Sequence, residues 1–387
     1  MLKNQAAILS YSSSFVYNIC LSIINILVPL YAVYLHYNPF LIGILVSAPG
    51  VLQLLLRLFG GALSDRFGER KVLLFSFTML GVSSSIFIIS DSFLLLLFAQ
   101  LTAGMSRAVY WPSTQSYASR IEETKASKVL GRLASFTNAG QVLGLFFGGV
   151  LAGVLGYQLS FAVCLLLALI TLLLSWYLPE LPRTSFPSNT WKDVLSPIVR
   201  MFRIKILYLA GIAAFAAALS QSLILSFYPV YFQAVGYTES VIGVLNALRP
   251  IGSIVIGLFF AFLLRHTAQQ WLFLLSVGGT GILLIITPLL QSLWSLTLLC
   301  FAIGVTTGCA FILYQVIVAE HSSLEERGVA MSFAGLFWGI GIFVMPALFG
   351  GLITLFGLAF AFWSIGGALV LLSLCTPLLY HFLVYGI

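Results

Sequence analysis

The chain has 387 residues, of which 60% are hydrophobic and 7% charged, with a mean hydropathy of +1.08 and a formal net charge of +7. A water-soluble domain has no dry interior for so much apolar chain, so the composition excludes a soluble fold and makes the bilayer the solvent. The five cysteines are odd in number and show no CxxC spacing, which argues against a disulfide framework or a zinc site.

Cut at its polar and Gly/Pro-rich points, the chain yields twelve apolar segments of the ~20 residues or more that a spanning helix needs. In chain order they cover 8–35, 39–63, 71–90, 92–119, 129–155, 157–179, 206–234, 239–264, 269–290, 292–319, 328–354 and 357–383. The expected fold is an all-α membrane protein with twelve transmembrane helices. Short loops rich in lysine and arginine stay cytoplasmic, and with both termini inside, fifteen of the 18 basic residues lie in cytoplasmic segments or, as Lys71 and Arg132 do, in the first turn of a span at its cytoplasmic end. The six outer loops hold none; Arg57, Arg107 and Arg249 lie inside segments. The positive charge is therefore a topology signal, and no nucleic-acid partner is expected. The first segment is too long for a signal peptide and is expected to be retained.

Segment 1 carries Ser14, Asn18, Ser22 and Asn25 on one stripe. Between segments 2 and 3, GALSDRFGERK (Gly61–Lys71) packs five ionisable side chains into the seven residues from Asp65 to Lys71. Gly61 lets two helix ends approach, and Gly68 permits a sharp cytoplasmic turn. Asp65 needs a positive partner, for which the start of segment 11 near Gly328 offers a helix dipole. Glu122 and Glu123, at the end of segment 4, offer charge to Arg66 or Arg70.

In segment 4, Gln100, Arg107, Trp111 and Gln115 share a helical face. A charge at mid-span costs roughly 3 kcal/mol, so Arg107 and, in segment 8, Arg249 require a reason. Arg249 shares its face with Asn246 and Ser253. These faces are expected to line a polar cavity, with Trp111, Tyr314 and Trp338 as apolar walls, or to hold helices together by hydrogen bonds. Arg57 lies near enough to the cytoplasmic end of segment 2 to snorkel. Segment 5 places Gly140, Gly144, Gly148 and Gly149 along a strip that admits a close neighbour.

The polar stretch 181–205 divides six segments (1–180) from six (206–387) and reads as a cytoplasmic linker. A shift of 200 superposes Pro29, Tyr31, Tyr37, Ile42 and Gly43 on Pro229, Tyr231, Tyr237, Ile242 and Gly243. A shift of 197 matches Gly131, Ser135, Phe136, Gly144 and Gly153 to Gly328, Ser332, Phe333, Gly341 and Gly350. The chain is a tandem repeat, and two parallel six-helix halves are the arrangement of one large class of secondary transporters.

The stretch GALSDRFGERKVLL resembles the signature between helices 2 and 3 of the major facilitator superfamily, at Gly61, Leu63, Asp65, Arg66, Gly68, Arg70, Lys71 and Leu74. Glu69 departs from that pattern, standing where the family usually has a basic residue. The resemblance covers the whole chain, is similar to bacterial efflux members, and implies that Gly61, Asp65, Arg66, Gly68, Arg70, Lys71, Glu122 and Glu123 form a latch that stabilises one conformational state. The glycines of segment 5 resemble the antiporter signature of drug exporters, with Leu145 where a proline usually stands. The usual helix 4 arginine of the family stands about where Gln100 does here.

All eleven acidic residues fall in loops or at segment ends, so no carboxylate sits at the midplane to carry a proton or to pair with a cationic drug. No phosphate loop, metal-binding HExxH or nucleophile elbow appears. The expectation is a secondary transporter, not an enzyme, and without a cofactor or metal. Export of amphipathic, neutral or anionic compounds by alternating access from a bacterial cytoplasmic membrane leads. Proton-coupled antiport of cationic drugs and uptake by symport are the alternatives, and a non-transporting receptor or scaffold is the remote one. The partners expected are a small-molecule substrate, the lipid bilayer, and protons or a counter-ion, with the chain a monomer. The proposed substrate contacts are Arg107, Arg249, Asn18, Asn25, Trp111, Gln115, Asn246, Tyr314 and Trp338.

Overall fold

The computed structural model describes residues 2–121, 126–180, 204, 206–321 and 327–385, without the side chains of 2–3, 57–66, 126–128, 206, 327–329, 332 and 376–385. Among the described residues there are helices and short connections and no strand. We label the helices α1 (Leu2–Tyr34), α2 (Pro39–Phe67), α3 (Glu69–Ile89) and α4 (Phe93–Ile121). A helical run of 51 residues, Ala126–Trp176, follows. At 1.5 Å per residue it would reach about 75 Å, more than twice the ~30 Å of hydrocarbon. Gly156 breaks it with φ 76 and ψ 174, a conformation that only glycine adopts without strain. The two pieces, 126–155 and 157–176, are α5 and α6.

The remaining helices are α7 (Ile206–Val235), α8 (Glu239–His266), α9 (Gln269–Leu289), α10 (Leu293–Glu320), α11 (Arg327–Phe356) and α12 (Leu358–Tyr385). Eleven continuous stretches among the described residues are long and apolar enough to cross a membrane, and the break at Gly156 turns the longest into two. Twelve spans result, as the hydropathy pattern predicts.

Several boundaries differ from the expected ones. α1 begins at Leu2 rather than at 8, and α2 runs to Phe67 rather than 63. Helices continue past the hydrocarbon wherever polar residues can be solvated in the interface, so a drop in hydropathy marks the edge of the membrane and not the end of the helix. The charged hairpin is therefore helical through Asp65 and Arg66. Its turn narrows to Gly68, at φ 90. α9 is not regular: Leu274–Gly278 forms a π-helical turn and Thr287–Leu289 a 3-10 turn. Ser276 and Thr280 donate back to the carbonyls of Phe273 (3.2 Å) and Ser276 (2.7 Å), a competition that distorts helices locally.

The chain forms two compact units, one of Met1–Ser185 with Leu225–Ala247 and the other of Phe186–Ile224 with Leu248–Ile387. Lipid removes most of the hydrophobic drive between helices, so packing and hydrogen bonds hold each unit together. In the first unit a Cβ on Gly144 would lie 2.5 Å from the Ile19 carbonyl oxygen and 2.7 Å from the Ser22 Cβ, so α5 packs directly against the backbone of α1. In the second, a Cβ on Gly281 would lie 2.7 Å from the carbonyl of Gly366, which brings α9 and α12 equally close.

Candidate functional site

The stripe on α1 divides into two parts. Toward the cytoplasmic end, Ser14 Oγ lies 2.5 Å from Tyr110 Oη and 3.1 Å from Thr137 Oγ1. Asn18 Nδ2 donates to the Ser14 carbonyl (2.7 Å) and to Tyr110 Oη (3.3 Å). Tyr17 stacks on Tyr110 with ring centroids 3.8 Å apart and reaches Ser106 Oγ at 3.0 Å. Ser76 of α3 closes the set by donating to the Ser106 carbonyl at 2.9 Å. Ser14, Tyr17, Asn18, Ser106 and Tyr110 are all buried. This part satisfies itself and ties α1, α3, α4 and α5 together, as buried polar groups must where no water competes.

One turn beyond Ser22, Asn25 behaves differently. Its Oδ1 accepts from Arg107 Nη2 at 2.6 Å. The Nε of the same guanidinium is buried and has no hydrogen-bond partner among the described residues. On the same strip of α4, Trp111 is 38% exposed and Gln115 is exposed. Gln100 is buried, with its Oε1 unpartnered. Of the sequence-selected residues in this unit, Asn25, Arg107, Trp111 and Gln115 thus share an accessible strip, and Asn18 faces the interior.

Arg249 of the second unit is 4% exposed, and its Nε is also buried without a partner among the described residues. One turn earlier on α8, Asn246 spends its amide on the Ile242 carbonyl at 2.9 Å, and one turn later Ser253 donates to the Gly304 carbonyl at 2.9 Å. Tyr314 and Trp338 stand 6.3 Å apart, with Phe311 at 5.4 Å from the first and 5.1 Å from the second. Sequence reasoning missed Phe311, Tyr110 and Tyr17. Spacing could have found two of them, since Tyr110 is three residues from Arg107 and Phe311 three from Tyr314.

At the charged hairpin, Glu69 carries the geometry. Its side chain is 6% exposed, lies 3.2 Å from Arg120 and accepts from Ser116 Oγ at 2.9 Å. Arg70 donates to the Trp176 carbonyl at 2.5 Å and approaches Glu180 at 3.8 Å, so its described partners belong to α6 and the residues after it, not to the end of α4. Tyr117 adds a bond to the Pro179 carbonyl at 2.8 Å. Lys71 is exposed. The side chains of Arg57, Gly61, Asp65 and Arg66, and all of Glu122 and Glu123, lie outside the described residues.

The glycines of α5 face two neighbours. Gly140, Gly144 and Gly148 lie against α1, while a Cβ on Gly149 would stand 2.6 Å from the Cα of Gly243 at the start of α8. Beside that contact Tyr157 donates to Glu239 at 3.3 Å. On the same outer side, Tyr37 donates to the Asp91 carbonyl at 2.6 Å, and burial together with the Asp91 carboxylate pushes its phenol pKa up. Among the described residues no three His, Cys, Asp or Glu side chains are grouped to hold a metal. A crevice of about 330 Å³ between α3 and α6 is lined by residues such as Phe77, Gly81, Ile86 and Leu169, and Phe77 packs on Tyr17 with ring centroids 5.4 Å apart. Its Thr78 and Ser85 hydroxyls are both spent on carbonyls of their own helix.

The family model described as Major Facilitator Superfamily matches residues 11–233 and 210–384. Quinolone resistance protein NorA of Staphylococcus aureus (strain MSSA476) is 23% identical over 329 residues, covering 80% of this chain and 80% of that protein. Multidrug resistance protein 2 of Bacillus subtilis (strain 168) is 23% identical over 365 residues, covering 90% and 88%. Among solved structures, the nucleoside transporter NupG superposes with a TM-score of 0.81 at 14% identity over 98% of this chain and 99% of that one. A D-xylose-proton symporter superposes with a TM-score of 0.77 at 14% identity, over 97% of each chain. At such identities the structural likeness shows the fold alone.

Proposed function

The chain belongs to the major facilitator superfamily, as a multi-pass membrane transporter rather than an enzyme, and on that premise we propose that it is a secondary active exporter of small amphipathic compounds, neutral or anionic. Its two six-helix bundles, 1–180 and 206–387 joined through 181–205, work by alternating access in a bacterial cytoplasmic membrane, as a monomer. Exchange with protons or another ion supplies the energy. The names of the relatives, quinolone resistance and multidrug resistance, support export.

The observation that carries the substrate class is the pair of span-embedded arginines, each with a buried Nε that no acceptor among the described residues answers. A guanidinium stays protonated, so the field around each arginine is positive and disfavours cations. Asn25, Trp111, Gln115, Asn246, Tyr314 and Trp338 complete the proposed contacts; Asn18, buried and bonded to Ser14 and Tyr110, is not among them. The latch at Gly61–Lys71, with Glu122 and Glu123, biases one conformational state, and Asp65→Asn is expected to slow transport while leaving insertion intact.

Direction is tested in everted and right-side-out vesicles energised in parallel. Neutral pyrenebutanol should accumulate in everted vesicles that carry the chain, above vesicles without it. Accumulation in right-side-out vesicles instead would make the chain an uptake system.

A further inference from the structure

We propose that Arg107, Asn25, Trp111 and Gln115 form a subsite for an amphipathic carboxylate, with the carboxylate on the guanidinium and the apolar body along α4. The inference rests on the transport reading above and adds the ligand's charged group and its orientation.

A guanidinium offers five donors, and inside a span it cannot lose its proton to escape the cost of burial. Arg107 has one described acceptor, the Asn25 amide oxygen at 2.6 Å, and its Nε is buried without any. The ion pairs among the described residues are Arg70 with Glu180 and Arg120 with Glu69, so no described carboxylate neutralises Arg107. Asn25 fixes the guanidinium through a neutral oxygen and leaves its charge uncompensated. The Asn25 Nδ2, with no partner among the described residues, adds a further donor beside it. A ligand carboxylate supplies both missing elements, an acceptor for Nε and a counter-charge, in the side-by-side geometry that guanidinium and carboxylate prefer.

The same strip sets the length of the body. From Arg107 to Gln115 is eight residues, about 12 Å of helix rise. Trp111 presents an accessible indole one turn from the charge, and Gln115 ends the strip with an amide. α4 runs inward from Phe93 to Ile121, so the ligand lies with its carboxylate deep and its apolar body toward the cytoplasm.

The test is equilibrium binding of two probes alike except at the head group, pyrenebutyrate and pyrenebutanol, to the purified full chain in nanodiscs. Energy transfer from tryptophan to pyrene is read after subtraction of empty nanodiscs. The wild type should bind pyrenebutyrate on the order of tenfold more tightly than pyrenebutanol, the factor of one charge-assisted pair. Arg107→Gln should bring the two within about twofold by weakening pyrenebutyrate alone. Asn25→Asp keeps the arginine and the side-chain shape but supplies a protein carboxylate, and should abolish the preference as well; it decides the matter if Arg107→Gln does not fold. No preference in the wild type, a preference that survives both substitutions, or equal losses of both probes would overturn the subsite. Pyrenebutanol transport that continues in that case would leave the export reading standing, whereas absent transport of either probe would remove the export reading itself.

Discussion

Arg107 and Arg120 lie on the same helix, thirteen residues apart, and their surroundings are opposite. Arg120 meets the Glu69 carboxylate at 3.2 Å, and that acid also takes a hydroxyl from Ser116. Among the described residues Arg107 meets an amide oxygen alone, and its Nε has no acceptor. The first cation is spent on structure, joining the start of α3 to the end of α4; the second has no carboxylate among the described residues. A buried charge that evolution has partnered is a brace, and one left without a counter-charge inside a membrane points outward from the fold to a ligand.

The contrast can be broken most severely at Glu69. Glu69→Gln should lower stability by about 2 kcal/mol, the low side for a broken buried pair because the Arg120 side chain is 22% exposed. Thermal unfolding in detergent measures it. Gly68→Ala should cost about 1 kcal/mol by the same assay, since its φ of 90 positions Glu69 at the helix start and penalises any side chain. Asn25→Asp works in the other direction: it converts Arg107 into a braced arginine and should raise stability by about 1 kcal/mol. Arg107→Gln should change stability by less than about 0.5 kcal/mol, because it removes a charge whose burial was uncompensated as well as one hydrogen bond. A loss as large as that of Glu69→Gln would place Arg107 among the braces.

Much of this frame is legible in the sequence, for reasons of hydropathy and chain length. Twelve spans follow from the need for ~20 apolar residues each, and the break at Gly156 falls where the apolar pattern separates 129–155 from 157–179. The helical character of Asp65 and Arg66 was not legible, because charge reads as a loop although an interface solvates a charged helix equally well. Glu69 read only as a departure from the family pattern; its partner Arg120 is 51 residues away, beyond the reach of any local spacing. Tyr17 and Tyr110 were hidden because a tyrosine in an apolar run resembles packing until its hydroxyl is seen to find Ser106 or Ser14. The π-turn at Leu274–Gly278 has no periodicity signal over five residues. Arg107 was legible as a problem, a charge in a span, but that Asn25 would hold it while leaving Nε bare required side-chain geometry.

Transport of the two pyrene probes by energised everted vesicles, wild type beside Arg107→Gln at equal expression, tests most directly that the unbraced arginine serves the substrate. Wild-type vesicles should accumulate pyrenebutyrate in preference to pyrenebutanol, and Arg107→Gln should lose the preference while pyrenebutanol transport persists. Equal transport of both probes by the wild type, or loss of both in Arg107→Gln, would contradict it.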